Sequence, residues 1–110
     1  MDLTDSAFLA AVESAQIEEF HHSDHIRLAL LYLQRYGQSE AEERISVTIQ
    51  GLAAKAGTPE KYHHTITMAW MRLAAQMLDP KALTHYYSPA VLARPEARAA
   101  FIPPDLAPLP

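Results

Sequence analysis

A chain of 110 residues is the size of one domain and can bury one modest core. With 49% apolar residues, three glycines and abundant alanine and leucine, it is expected to fold and to favour helix over sheet. The absence of cysteine excludes disulfides, thiolate zinc sites, iron–sulfur clusters and a cysteine nucleophile, and a net charge of -4 with scattered basic residues argues against nucleic acid as a partner.

No apolar run approaches the roughly 20 residues that span a bilayer. Met1-Asp2-Leu3-Thr4-Asp5 is acidic where a signal peptide carries positive charge. The expectation is a cytoplasmic, bacterial-type protein with no membrane partner, folded as a single helical domain over residues 1–110.

A first helix is predicted from Thr4 or Asp5 to about Glu19, with several N-cap residues at its start. At about 100° per residue, Phe8, Leu9, Val12, Ala15 and Phe20 fall on one side. Glu13 lies inside that arc. A carboxylate aimed at a core must be paired, hydrogen-bonded or bound to metal, unless the helix is incompletely covered and leaves it at a rim.

A second helix is predicted to begin near Ser23 as N-cap, with Asp24 placed well against the helix dipole, and to end at Gly37. Ile26, Ala29, Leu30, Tyr32, Leu33 and Tyr36 form a wide apolar arc, and Arg27, Gln34 and Arg35 mark the solvent side. His25 falls inside the apolar arc. If the helical turn extends back, His22 points the same way at i, i+3 spacing.

Ser39-Glu40-Ala41-Glu42 reads as a capping box opening a third helix that closes at Gly57. Ala41, Ile45, Ile49, Leu52 and Ala56 recur at helical spacing, the pattern of a packing helix without chemistry of its own.

Thr58-Pro59-Glu60 reads as N-cap, N1 proline and first-turn acid of a fourth helix reaching Leu78. Within it His63 aligns with Thr67, Trp70 and Ala74, His64 sits at the border near Met68 and Met71, and Thr65, Arg72 and Gln76 define the wet side. Asp79-Pro80 and Ser88-Pro89 each read as a cap followed by an N1 proline, and Pro95 starts a further short turn through Phe101. The segment from Ile102 to Pro110 cannot be regular helix, and its apolar Ile102, Leu106 and Leu109 favour an extended tail that wraps rather than dangles. The predicted fold is all-α: an up-down four-helix core, short C-terminal helices and an extended proline-rich tail.

Five of the six histidines thus lie in two short clusters at helix N-termini. In an up-down bundle the start of the second and fourth helices and the end of the first meet at one pole, which brings His22, His25 and His63 together with Glu13 reaching in. Three imidazoles and a carboxylate suit a divalent transition metal: Zn, Fe, Cu, Ni or Mn. Asp24 could orient a histidine from behind. Tyr32, Tyr36, Tyr62, Tyr86 and Trp70 could line the adjacent pocket, and Arg98 could clamp an anionic group. The fixed frame of H-E-x-x-H and the paired Glu-x-x-His of di-iron bundles are both missing. Metal-free alternatives stay open: a neutral histidine serving with Glu13 as acid and base, tyrosines that only pack, an arginine that only pins the tail.

Phe20-x-His22-x-Asp24-His25 followed by Arg27-Leu28-Ala29 and Tyr32-Leu33, Tyr62-His63-x-Thr65-Ile66-Thr67, and Tyr86-Tyr87-Ser88 leading to Ala97-Arg98 resemble the motifs of a family of small bacterial helical proteins. The resemblance runs from about Phe8 to Asp105 and supplies no reaction, because the family has no assigned activity. It implies that His22, His25, His63, Thr67 and Glu13 belong to one unit. The chain departs from the family pattern at His64, where glutamate is frequent, which leaves the role of position 64 open together with those of His21 and Asp24.

The leading expectation is a small metal-dependent enzyme acting on a small molecule, with His22, His25 and His63 on the metal, Glu13 as fourth ligand or general base, and Thr67, Tyr32 and Arg98 on the substrate side. Oxidoreductase, lyase and hydrolase chemistry are not distinguished. The alternatives are a non-catalytic metal- or small-ligand-binding module and a metal-free His/Glu enzyme. The wide apolar arcs of the second and fourth helices add the expectation of a homodimer.

Overall fold

The computed structural model describes residues 4–17 and 20–110, and of His22 and Pro80 the backbone alone. Among the described residues the fold is all-α, with no strand, as the composition and periodicity predict. The chain divides into two compact units, residues 1–61 and 62–110.

In the first unit, α1 spans Asp5–Glu13 and is capped by Thr4, whose hydroxyl accepts from the Ala7 N–H at 3.2 Å. It stops well short of the predicted Glu19; Glu18 and Glu19 themselves lie outside the described residues. The stop is a Schellman turn: the Ala15 N–H bonds to the Val12 carbonyl at 3.1 Å and the Gln16 N–H to the Ala11 carbonyl at 2.8 Å, with Ala15 in the left-handed region at φ 56°. The Ser14 hydroxyl reinforces it by donating back to the Ala10 carbonyl at 2.7 Å.

Helix α2, His22–Tyr36, begins slightly before the predicted Ser23 cap, because Asp24 accepts from the His21 backbone N–H at 3.0 Å and holds the first turn closed. It ends at Gly37, as the sequence indicates. Gly37, at φ 79°, is the whole connection to α3, Gln38–Lys55, so Ser39 lies inside the first turn of α3 instead of capping it. Tyr32 meets Thr48 and Tyr36 meets Arg44, so α2 and α3 run antiparallel. Asp5 and Phe8 of α1 meet Arg27 of α2, and Glu13 meets Tyr32. The contacts run in the same order along both helices, so α1 crosses α2 in the parallel sense rather than the expected antiparallel one. Phe8, Leu9, Val12, Leu28, Ala29, Tyr32, Ala41 and Ile45 are the buried apolar residues of this unit. After α3 the chain makes a second Schellman turn at Gly57, φ 76°, and a short 3-10 turn, Pro59–Lys61.

The second unit opens on α4, His64–Ala75. The sequence predicts one helix running on from Pro59; instead the proline-led turn ends at Lys61 and His63 is extended, at φ -131° and ψ 106°, as the N-cap of a new helix. Helix α4 closes with a third Schellman turn at Met77, φ 59°, in which the Leu78 N–H bonds to the Leu73 carbonyl at 2.9 Å. The prolines then behave as predicted. Asp79 caps a 3-10 segment, Pro80–His85; Ser88 caps α5, Pro89–Leu92; and Pro95 opens α6, Pro95–Ala99. Ala69, Leu73, Leu83 and Tyr87 form the core of this unit, with Ile66, Trp70, Tyr86, Val91, Leu92 and Leu109 packed around it. The presence of Leu109 in that shell settles the tail as wrapped.

Only one of the three Schellman positions is glycine. A Cβ in the left-handed region costs about 1–2 kcal/mol, partly offset by the entropy glycine adds to the unfolded chain. Ala15→Gly and Met77→Gly should therefore each stabilise by about 0.5–1 kcal/mol net, whereas Gly57→Ala should destabilise by a similar amount. Met77 is the cleaner site, since its side chain is 83% exposed and little packing is lost. Thermal or urea melts of the three variants check this, and equal melting points would show that the turns carry no such cost.

Candidate functional site

Two of the predicted site residues are brought together in the first unit, and a third group joins them. Tyr32 is 1% exposed on α2, yet its hydroxyl reaches the rim. It donates to Glu13 Oε1 at 2.9 Å and lies 3.0 Å from Thr48 Oγ1. A phenol has one proton. With that proton on Glu13, the Thr48 hydroxyl is the donor to the phenol oxygen, and the chain of bonds runs Thr48 to Tyr32 to Glu13. Burial pushes the Tyr32 phenol up to about 12; the Thr48 hydroxyl works against that shift and the Glu13 carboxylate adds to it. Tyr32 is thus a proton donor throughout the physiological range.

This trio sits at an open groove of about 550 Å³ whose other walls are Glu40, Glu43, Arg44 and Val47. Arg44 is committed to Glu40 at 2.8 Å and lies over the Tyr36 ring at 4.0 Å. Three carboxylates against one guanidinium leave the groove net negative. Glu13 is exposed at its edge, the rim position that the alternative reading of the first helix allows. The third helix, read from sequence as packing only, supplies Thr48 and most of the groove. The signal for Thr48 is present in its spacing: it lies one turn beyond Ile45 and one turn before Leu52, on the inward side.

His63 and His64 each have a hydrogen-bond partner of their own. His63 is 9% exposed and both ring nitrogens are engaged: Nδ1 accepts from the Ile66 N–H at 3.2 Å and Nε2 lies 2.8 Å from the Leu92 carbonyl. A carbonyl only accepts, so Nε2 carries the proton and the lone pair on Nδ1 is taken by Ile66. The imidazole is thereby a helix cap and a tie between α4 and α5. Thr67 donates its hydroxyl to the His63 carbonyl at 2.8 Å, a bond back along the first turn of α4. His64 Nδ1 lies 2.7 Å from the Tyr62 hydroxyl.

His25 is partly buried, with its ring 5.9 Å from that of Phe20. It precedes Tyr32 by about two turns of α2, some 10 Å along the axis, so Glu13 stands with Tyr32 rather than beside His25. The side chain of His22 lies outside the described residues. Asp24 is occupied by the His21 N–H. Arg98 is exposed on α6. Among the described residues no three His, Asp or Glu side chains are grouped so as to hold a metal ion, and no helix is long and apolar enough to cross a membrane. No family model, no curated protein and no solved structure matches the chain.

Proposed function

We propose that the first unit is a non-catalytic ligand-binding module that takes a small cation bearing N–H donors, an amine or guanidinium, in the Glu13 groove. The observation that carries this reading is the Tyr32 hydroxyl. It belongs to a buried side chain, yet it is fixed between Thr48 and Glu13 at the edge of a net-negative groove. The bond from Tyr32 orients the Glu13 carboxylate and leaves its second oxygen able to accept from a ligand. Val47, 72% exposed, offers an apolar contact beside it.

The metal-dependent reading needs the His63 imidazole as a ligand. To serve, it must give up one of its two bonds, the Ile66 cap if Nδ1 ligates or the Leu92 tie if Nε2 does, at a cost of about 1 kcal/mol and more if the partner stays unsatisfied. The groove asks for no such sacrifice.

The test is a nuclear magnetic resonance titration with 1,4-diaminobutane and with methylguanidinium, using acetate as the opposite-charge control. Shifts should cluster on the amides around Glu13, Tyr32 and Thr48, weaken as salt is raised, and be absent with acetate. Glu13→Gln should weaken the interaction about ten-fold or more, the worth of one charge-assisted bond. No clustered shift at about 10 mM cation, the scale of a very weak complex, would overturn the reading.

A further inference from the structure

The second unit presents a different surface, and it is already occupied. Residues 101–110 contain four of the chain's eight prolines, at 103, 104, 108 and 110, and lie in extended or bent conformation along the unit. Their burial nearly alternates: Ile102, Pro104, Ala107 and Leu109 turn inward, while Pro103, Asp105, Leu106, Pro108 and Pro110 face out. That is the pattern of an extended peptide laid on a receptor face, not of a disordered end.

The polar contacts follow the same logic. The Thr65 hydroxyl donates to the Ala100 carbonyl at 2.9 Å and accepts from the Ile102 N–H at 3.0 Å. Thr65 is fully buried by this arrangement, although its helical phase places it on the wet side of α4. The Tyr87 hydroxyl donates to the Ile102 carbonyl at 2.6 Å. The Leu106 N–H reaches the Tyr86 carbonyl at 3.0 Å, and Asp105 accepts from the Ser88 N–H at 2.9 Å. The bond from Ser88 holds the Asp105 carboxyl below its usual range. Phe101 lies under the Arg72 guanidinium at 4.4 Å, and Leu109 packs against the core cluster that contains Tyr87. Backbone bonds to the few available N–H groups, aromatic side chains beneath, and prolines that lower the entropy of ordering are together the chemistry of proline-rich peptide recognition.

We propose that the face of the second unit formed by Thr65, Arg72, Tyr86, Tyr87 and Ser88 is a docking site for an extended proline-rich peptide carrying an acidic residue after a Pro-Pro pair, and that the chain's own residues 101–110 fill it as a tethered, exchangeable occupant. This is independent of the Glu13 groove. The tether gives the tail an effective concentration in the millimolar range, so the site is closed to weak outside peptides until the tail is loosened.

The test uses the 110-residue chain and a fluorescent peptide of its own residues 101–110. The tail is weakened without touching the receptor face by Asp105→Ala, and more strongly by Asp105→Ala with Leu106→Pro, which removes the N–H that Tyr86 accepts. Fluorescence anisotropy should show the peptide binding the doubly substituted chain at least ten-fold more tightly than wild type, with the single variant between them. Adding Tyr87→Phe should weaken that binding several-fold, and a scrambled peptide with separated prolines should not bind. Amide exchange of residues 101–110 is measured in parallel. A released tail with no peptide binding, a tail that stays protected without these contacts, or equal binding of the scrambled peptide would each overturn the proposal.

Discussion

Replacing His63 by alanine is expected to destabilise the second unit by about 3 kcal/mol. The loss combines the N-cap of α4, worth about 1 kcal/mol, with the desolvation cost of leaving the Ile66 N–H and the Leu92 carbonyl without their partner, about 1–3 kcal/mol. His63→Asn separates these contributions. Asparagine is among the strongest N-caps and keeps a bond to Ile66, but it is too short to hold the Leu92 carbonyl, so about half of the stability should return. Urea denaturation of wild type and both variants measures the difference. Repeating the wild-type melt with a chelator tests the rival role. A capping imidazole predicts an unchanged midpoint, because neither of its bonds involves a metal. A wild-type midpoint that falls with chelator, together with an alanine variant that costs under about 1 kcal/mol, would move His63 from cap to ligand.

His63 also shows why the site was harder to read than the fold. Helix content follows from composition and periodicity, and Gly37 and Gly57 mark their helix ends because glycine enters the left-handed region without strain. Ala15 and Met77 adopt the same conformation with no glycine to announce it, so residue type alone extends both helices too far. Thr58-Pro59-Glu60 is a sound start signal, but it starts only a 3-10 turn; the helix begins again at His63, whose ring caps in the manner of an asparagine. Beyond that start the phase holds, with Thr67, Met68, Met71 and Ala74 buried as their spacing indicates, and Thr65 is the exception. Thr65 is assigned to solvent when it is buried under the tail, a contact made 35 residues away in the chain and invisible to any local pattern. Glu13 stands out in the sequence as a carboxylate on an apolar arc, and it lies exposed at the rim of that arc. Its partner is Tyr32 because α1 ends early and crosses α2 in the parallel sense, and no feature of the α1 sequence encodes that direction.

Tyr32→Phe is expected to lower stability by about 1–2 kcal/mol at neutral pH, since it leaves Thr48 and Glu13 without the hydroxyl that joins them. Its effect on the alkaline limb is more specific. The folded phenol titrates near 12 and the unfolded one at 10.0, so between those values the folded state holds a proton that the unfolded state has lost. Wild-type stability from this group is complete below pH 10 and declines as pH rises through the window to about 12. The phenylalanine variant should lose that slope in part, not wholly, because burial also raises the Tyr87 phenol. Glu13→Gln and Thr48→Val complete the argument by acting in opposite directions. Removing the carboxylate takes away a contribution that raises the Tyr32 phenol and should make the slope shallower; removing the threonine hydroxyl takes away the contribution that lowers it and should make the slope steeper. Urea midpoints collected from pH 8 to pH 12, with the phenolate absorbance as a direct titration, measure both. If the two variants shift the slope in the same direction, the Thr48-to-Tyr32-to-Glu13 order of donors is wrong, and the groove cannot present Glu13 as a carboxylate held by one oxygen and open at the other.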